Sequence, residues 1–169
     1  WLEMTPGLRI EQARITPDID AKTVEMKLRF SDPPDQGKLV WTLFFHGKEK
    51  KHGMVALQNC RERAIFSVEN EDPIDNKIHL WEPGQPNLYE LVLEVYQNDK
   101  LQDRVETYFG MRKIERKGSR IYLNHYPLYQ RLVLDQGYWQ ESLMTPPDAQ
   151  ALMRDLKLVR DMGFNGVRK

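Results

Sequence analysis

Val24 to Phe30 reads VEMKLRF, and this stretch decides the class of fold. Val24, Met26, Leu28 and Phe30 alternate strictly with Glu25, Lys27 and Arg29. A period of two puts one set of side chains in a core and the other in water, which is the pattern of a half-buried strand. Upstream, Leu8, Ile10 and Ala13 to Ile15 predict a first strand, ended by TPDID at Thr16 to Asp20, where Pro17 fixes φ and the aspartates can bond their own backbone. Downstream, SDPPDQG at Ser31 to Gly37 closes the strand. Leu39 to Phe45, nearly continuous in apolar residues and containing Trp41, then predicts a buried central strand. Lys48 to Lys51 reads as a basic, solvated hairpin turn rather than an anion site, because Glu49 interrupts the charge and no aromatic residue is interleaved. Met54 to Leu57 and Ala64 to Val68 supply two more short strands, and Asn70 to Asn76 is a polar loop. Leu88 to Tyr96 and Leu101 to Phe109 flank QNDK at Gln97 to Lys100, a spacing suited to a tight hairpin.

The total is about seven strands with turns at short intervals, which predicts a mainly β chain built on an antiparallel sandwich of immunoglobulin type. Its core is expected around Trp41, Phe66, Leu91, Leu93 and Val95. Cys60 is the only cysteine, so no internal disulfide staples the sheets and apolar packing must hold them. With 169 residues, 40% of them apolar and 30% charged, the chain has room for one ordinary core plus an additional segment. Lysine plus arginine number 25 and aspartate plus glutamate also 25, so no net field draws the chain to nucleic acid or to an acidic membrane surface. No run approaches the roughly 20 apolar residues of a membrane span. The junction is expected in the charged run from Lys113 to Ser119, which ends in two small residues.

Beyond that junction the pattern changes. Leu132 to Leu134 is a short apolar segment, followed by a polar and aromatic loop from Asp135 to Trp139. Thr145, Pro146, Pro147 and Asp148 form a Thr-x-x-Asp helix start with proline at the first helical position. Leu152, Leu156, Val159 and Met162 recur at helical spacing, Gly163 ends the helix, and Phe164 to Arg168 reads as the next short strand. Strand, loop, helix, strand is the unit that builds parallel sheets and barrels. A (β/α)₈ barrel takes roughly 250 residues, so the chain is expected to stop before such a barrel closes. The apolar helix face should find cover, on the sandwich or on a second copy of the chain as a homodimer.

Several motifs carry a resemblance. LNHYP at Leu123 to Pro127, Arg131, LDQGYW at Leu134 to Trp139 and MGFNGVR at Met162 to Arg168 resemble the opening of the catalytic barrel in glycoside hydrolase family 2, the family of β-galactosidases, β-glucuronidases and β-mannosidases. LWEPGQPNLYEL at Leu80 to Leu91 and FGMRKIE at Phe109 to Glu115 resemble the last strands of that family's immunoglobulin-like domain and its junction with the barrel, and WLE at Trp1 resembles the end of the preceding sugar-binding domain. The resemblance divides the chain into residues 1–6, the end of a sugar-binding domain, residues 7–115, the sandwich, and residues 116–169, the start of the TIM barrel. His125 and Tyr126 stand where the family's turn usually has glycine and lysine, and Leu132 follows Arg131 where glycine is common.

The resemblance implies an O-glycosyl hydrolase of the retaining kind in the longer protein, with two glutamates as acid/base and nucleophile. Both would lie on later barrel strands, leaving this chain without catalytic residues and inactive alone. Asn70 and Glu71, the one AsnGlu pair, fall in a sandwich loop. Residues just past a barrel strand's C-terminal end face the active site. Asp135, Gln136, Tyr138 and Trp139 hold that place after the first barrel strand: the aromatic rings would stack on a sugar and Asp135 would accept hydroxyl hydrogen bonds, or the loop is only a structural plug. Arg168 matches the family arginine that lies near the nucleophile and helps keep it ionised. The implied partners are a carbohydrate substrate, the rest of the barrel and the sugar-binding domain. His46, His52, His79 and His125 lack ligand spacing, and no nucleotide-binding or Gly-x-Ser-x-Gly motif occurs, so neither metal nor cofactor is expected. The reading from a different class is a non-enzymatic carbohydrate-binding or scaffolding sandwich, which would have no use for the strand, helix, strand tail.

Overall fold

A computed structural model describes residues 7–34, 36–69 and 77–168. The WLE motif and the loop at Asn70 to Asn76 lie outside the described residues. The chain forms two compact units, Trp1–Lys113 and Ile114–Lys169.

The first unit holds β1 (Ile10–Asp18), β2 (Thr23–Phe30), β3 (Gly37–Phe45), β4 (Lys48–Leu57), β5 (Arg61–Ser67), the short β6 (Trp81–Glu82) and β7 (Gln85–Pro86), β8 (Tyr89–Gln97) and β9 (Lys100–Phe109). Seven of these make two antiparallel sheets, one in the order β1-β2-β5 and one in the order β4-β3-β8-β9. This is the immunoglobulin-like sandwich that the alternation predicts. Val24, Met26, Leu28 and Phe30 face Leu39, Trp41, Leu43, Phe45, Leu91, Leu93 and Val95 in one buried cluster, which also includes Phe66. Trp41 of the four-stranded sheet stacks on Phe66 of the other, with ring centroids 4.2 Å apart, a contact worth about 0.5–1.5 kcal/mol beyond its buried area. At the sandwich edge the Ile10 amide donates to Asp103 Oδ2 at 2.8 Å, tying β1 to β9.

Three local expectations are corrected here. β1 does not end at Thr16 but runs through Pro17 to Asp18, because β1 is an edge strand and the missing proline N–H is not needed on its open side. Lys48 to Lys51 is not the hairpin turn. The turn is His46 and Gly47, both with positive φ, and the lysines begin β4. β3 is central, yet buried on one face only: Val40, Thr42 and Phe44 stay half-exposed on the outer side. The Asn98–Asp99 turn between β8 and β9 also has positive φ at both residues, as a two-residue hairpin requires.

The second unit starts with β10 (Ile114–Lys117), β11 (Arg120–Leu123) and β12 (Tyr126–Leu128), an antiparallel meander whose last turn is Asn124–His125. It continues with β13 (Leu132–Leu134), α1 (Ala149–Asp161) and β14 (Gly166–Arg168). β13 and β14 pair in parallel, Leu132 with Gly166, Val133 with Val167 and Leu134 with Arg168. The helix start differs from the expected one: Asp148, not Thr145, is the N-cap, and its Oδ1 accepts the Ala151 amide at 2.6 Å. Pro147 disfavours helical backbone at Pro146, so both prolines precede the helix instead of opening it. At the other end Gly163, at φ +85°, closes a Schellman motif, with Gly163 N–H on the Arg160 carbonyl and Phe164 N–H on that of Val159. On the helix face, Leu152 and Val159 are half-buried, whereas Leu156 and Met162 are 42% and 66% exposed.

Candidate functional site

A parallel βαβ unit aligns the C-terminal ends of its two strands, so whatever follows β13 stands beside the end of β14. The pairing continues one residue past the strand, the Asp135 amide donating to the Arg168 carbonyl at 2.9 Å. Asp135 and Arg168 are therefore neighbours although 33 positions apart in sequence. The Asp135 carboxylate turns back on its own loop, where Oδ1 accepts the Gly137 N–H at 2.7 Å, and Gly137 takes φ +67°. This side-chain turn shapes the loop and commits one lone pair of Asp135 to it. The other oxygen keeps its acceptor capacity.

Trp139 closes a small ring with Leu143, each amide bonding the other's carbonyl at 2.7 and 3.0 Å. Its side chain is half-buried, while Gln136 and Arg168 are exposed and Tyr138 is 70% exposed. The structure thus gathers Asp135 and Arg168 at one strand end, with Tyr138 presented on the loop between them and Trp139. Arg168 makes no ion pair among the described residues.

Sequence reasoning assigned no role to Arg131 and Asn165, and the structure gives them one. The Arg131 amide donates to Asn165 Oδ1 at 2.8 Å, the Asn165 amide returns a bond to the Arg131 carbonyl at 2.9 Å, and Asn165 Nδ2 donates to the Tyr129 carbonyl at 2.9 Å. Arg131 Nε also donates to the Gly163 carbonyl at 2.7 Å, just past the end of the helix. These bonds hold the starts of β13 and β14 in register and so set the height at which Asp135 and Arg168 emerge. The available signal was that both residues lie inside the matched motifs.

Comparison with known proteins agrees with this architecture. The model of "Glycosyl hydrolases family 2" matches residues 8–112. A β-glucuronidase of Streptococcus agalactiae is 32% identical over 93 residues, 54% of this chain and 15% of that protein. A β-galactosidase of Oenococcus oeni is 27% identical over 168 residues, 93% of this chain and 16% of that protein. Among solved structures, a Parabacteroides merdae β-glucuronidase superposes with a TM-score of 0.75 at 18% identity, over 96% of this chain and 21% of that one. A Ruminococcus gnavus β-glucuronidase gives 0.74 at 15% identity, over 97% and 26%. The chain thus spans about a sixth of the length of these curated relatives, and its sandwich places it where the motifs pointed: it belongs to the glycosyl hydrolases family 2.

Proposed function

We propose that this chain is an internal segment of a glycoside hydrolase that cleaves O-glycosyl bonds with retention, through two carboxylates about 5–5.5 Å apart. In this reading residues 7–115 are the supporting sandwich and residues 116–169 the start of the barrel, with a sugar-binding domain before them and both catalytic glutamates after them. The observation that carries it is the parallel β13–α1–β14 unit, with Arg168 and the Asp135 loop at one end, on a chain whose sandwich matches the family. Exposed Leu132, Leu134, Leu156, Leu158 and Met162 support it, because full burial of a large apolar side chain is worth about 1.5–3 kcal/mol and neighbouring barrel elements would recover the part that each of these leaves in water. Tyr138 and Trp139 then offer a stacking edge for a sugar, Asp135 and Gln136 hydrogen-bond its hydroxyls, and Arg168 holds the nucleophile ionised.

Two measurements test the reading. The 169-residue chain should not turn over nitrophenyl glycosides, and steady turnover abolished by a substitution within it would refute the proposal. In the longer enzyme, Arg168→Met should lower kcat/KM by about 10²–10³ and move the acid limb of the pH profile upward, since removing a cation raises a neighbouring carboxyl's pKa. An unmoved acid limb would remove Arg168 from the site.

A further inference from the structure

The chain has no net charge, yet its cations are not evenly spread. Two rows of them cross the outer face of the three-stranded sheet. In one row Arg14 stands opposite Lys27 and Lys27 opposite Arg63, and in the next Gln12 stands opposite Arg29 and Arg29 opposite Arg61. The rows lie two residues apart along the strands, roughly 7 Å. Together these six residues line most of a groove of about 520 Å³. Like charges directly opposed across strands cost stability, so a face needed only for solubility would alternate its signs.

Counter-charges cover the rows only in part. Glu25 binds Lys27 at 3.1 Å and also pairs with Arg63, and Glu11 reaches Arg29 at 3.5 Å. Glu62 borders the groove but spends its Oε1 on the Gln58 and Asn59 amides, at 2.8 and 2.9 Å. Arg14 and Arg61 make no ion pair among the described residues.

We infer that this groove binds a polyuronate, an oligosaccharide bearing a carboxylate on successive sugars. Four guanidinium groups offer the planar fork that matches carboxylates in pairs, and Gln12 adds an amide for hydroxyl groups. Single-stranded nucleic acid fits less well, because the lining has no aromatic ring on which a base could stack. A second copy fits less well too. The acidic outer face of the four-stranded sheet, with Glu94 and Glu106, already carries Arg104 paired to both. The inference concerns the sandwich alone and stands whether or not the chain belongs to an active hydrolase.

The test is calorimetric titration of the 169-residue chain at low salt with hexagalacturonate, its fully methyl-esterified form, and a single-stranded oligonucleotide of equal charge. The acid form should bind, weaken as salt rises, and bind at least about tenfold more weakly to the Arg14→Glu/Arg61→Glu variant. The same variant should unfold at an unchanged or higher temperature, since it relieves opposed charges, and Arg14→Lys/Arg61→Lys should bind with intermediate affinity. No binding of the acid form, equal binding of the methyl ester, or equal or tighter binding of the oligonucleotide would overturn the inference. So would a concentration-dependent dimer, seen by light scattering, that the double reversal dissolves.

Discussion

At Gly53 a side chain fits only if Trp41 shifts. A Cβ built there would lie 2.5 Å from the Trp41 ring, which also stacks on Phe66. Trp41 and Gly53 are direct cross-strand partners, and the tryptophan ring covers the glycine. Gly53→Ala should therefore cost about 1–3 kcal/mol, read as a lower urea midpoint with an unchanged slope. An unaltered midpoint would show that Trp41 has room to shift. Glu25 makes a second residue-scale prediction. Its hydrogen bond from Arg63, then that from Lys27, holds the carboxyl below the ordinary carboxylate range, against an opposing push from desolvation. A carboxyl whose pKa is depressed on folding contributes stability above its unfolded pKa and loses it as pH falls through the folded one. Glu25→Gln should thus be less stable than the parent at neutral pH, by a small amount because the pair is solvated, and the gap should close in acid. A gap constant with pH would show that Glu25 acts by packing.

Elements were legible in proportion to how periodic they are. β2 repeats every two residues and stands where alternation places it, β8 and β9 flank the QNDK turn as its spacing predicts, and α1 follows from its spacing and its terminal glycine. Apart from the outer face of β3, which is half-exposed although the strand is central, the misread points are turns or ends, where geometry depends on a partner the local sequence does not show. His46 with positive φ closes a hairpin without any Asn-Gly or Asp-Gly signal, and Pro17 is permitted in β1 only because that strand is an edge. Of the candidate site, Asp135 and Arg168 could be named from motifs. The Arg131–Asn165 bonds that set their height span 34 positions and could not be read from either motif alone. The helix N-cap tests this level of organisation. Asp148→Ala removes the acceptor for the Ala151 amide and should cost about 0.5–2 kcal/mol, seen as faster hydrogen exchange in the first turn of α1. Exchange unchanged there, or accelerated equally at the Gly163 end, would show that the cap is not what holds the helix start.

The two units of the molecule differ in how completely each satisfies its own strands. In the sandwich, β3 and β8 are flanked on both sides and their inner side chains are buried. In the second unit β13 and β14 are three residues long and, among the described residues, pair only with each other, with Leu132 and Leu134 exposed. Isolated two-stranded pairs are marginal in water, so the tail should open locally far below the free energy of global unfolding. Amides of β3 and β8 should exchange slowest in the 169-residue chain, those of β13 and β14 much faster. If the proposed barrel is right, the same β13 and β14 amides should become strongly protected in the longer protein, where flanking strands would bond their open edges and cover Leu132 and Leu134. Protection already at the level of β3 in the short chain would mean that the tail needs no neighbours. Protection that stays low in the longer protein would mean that its neighbours are not barrel strands.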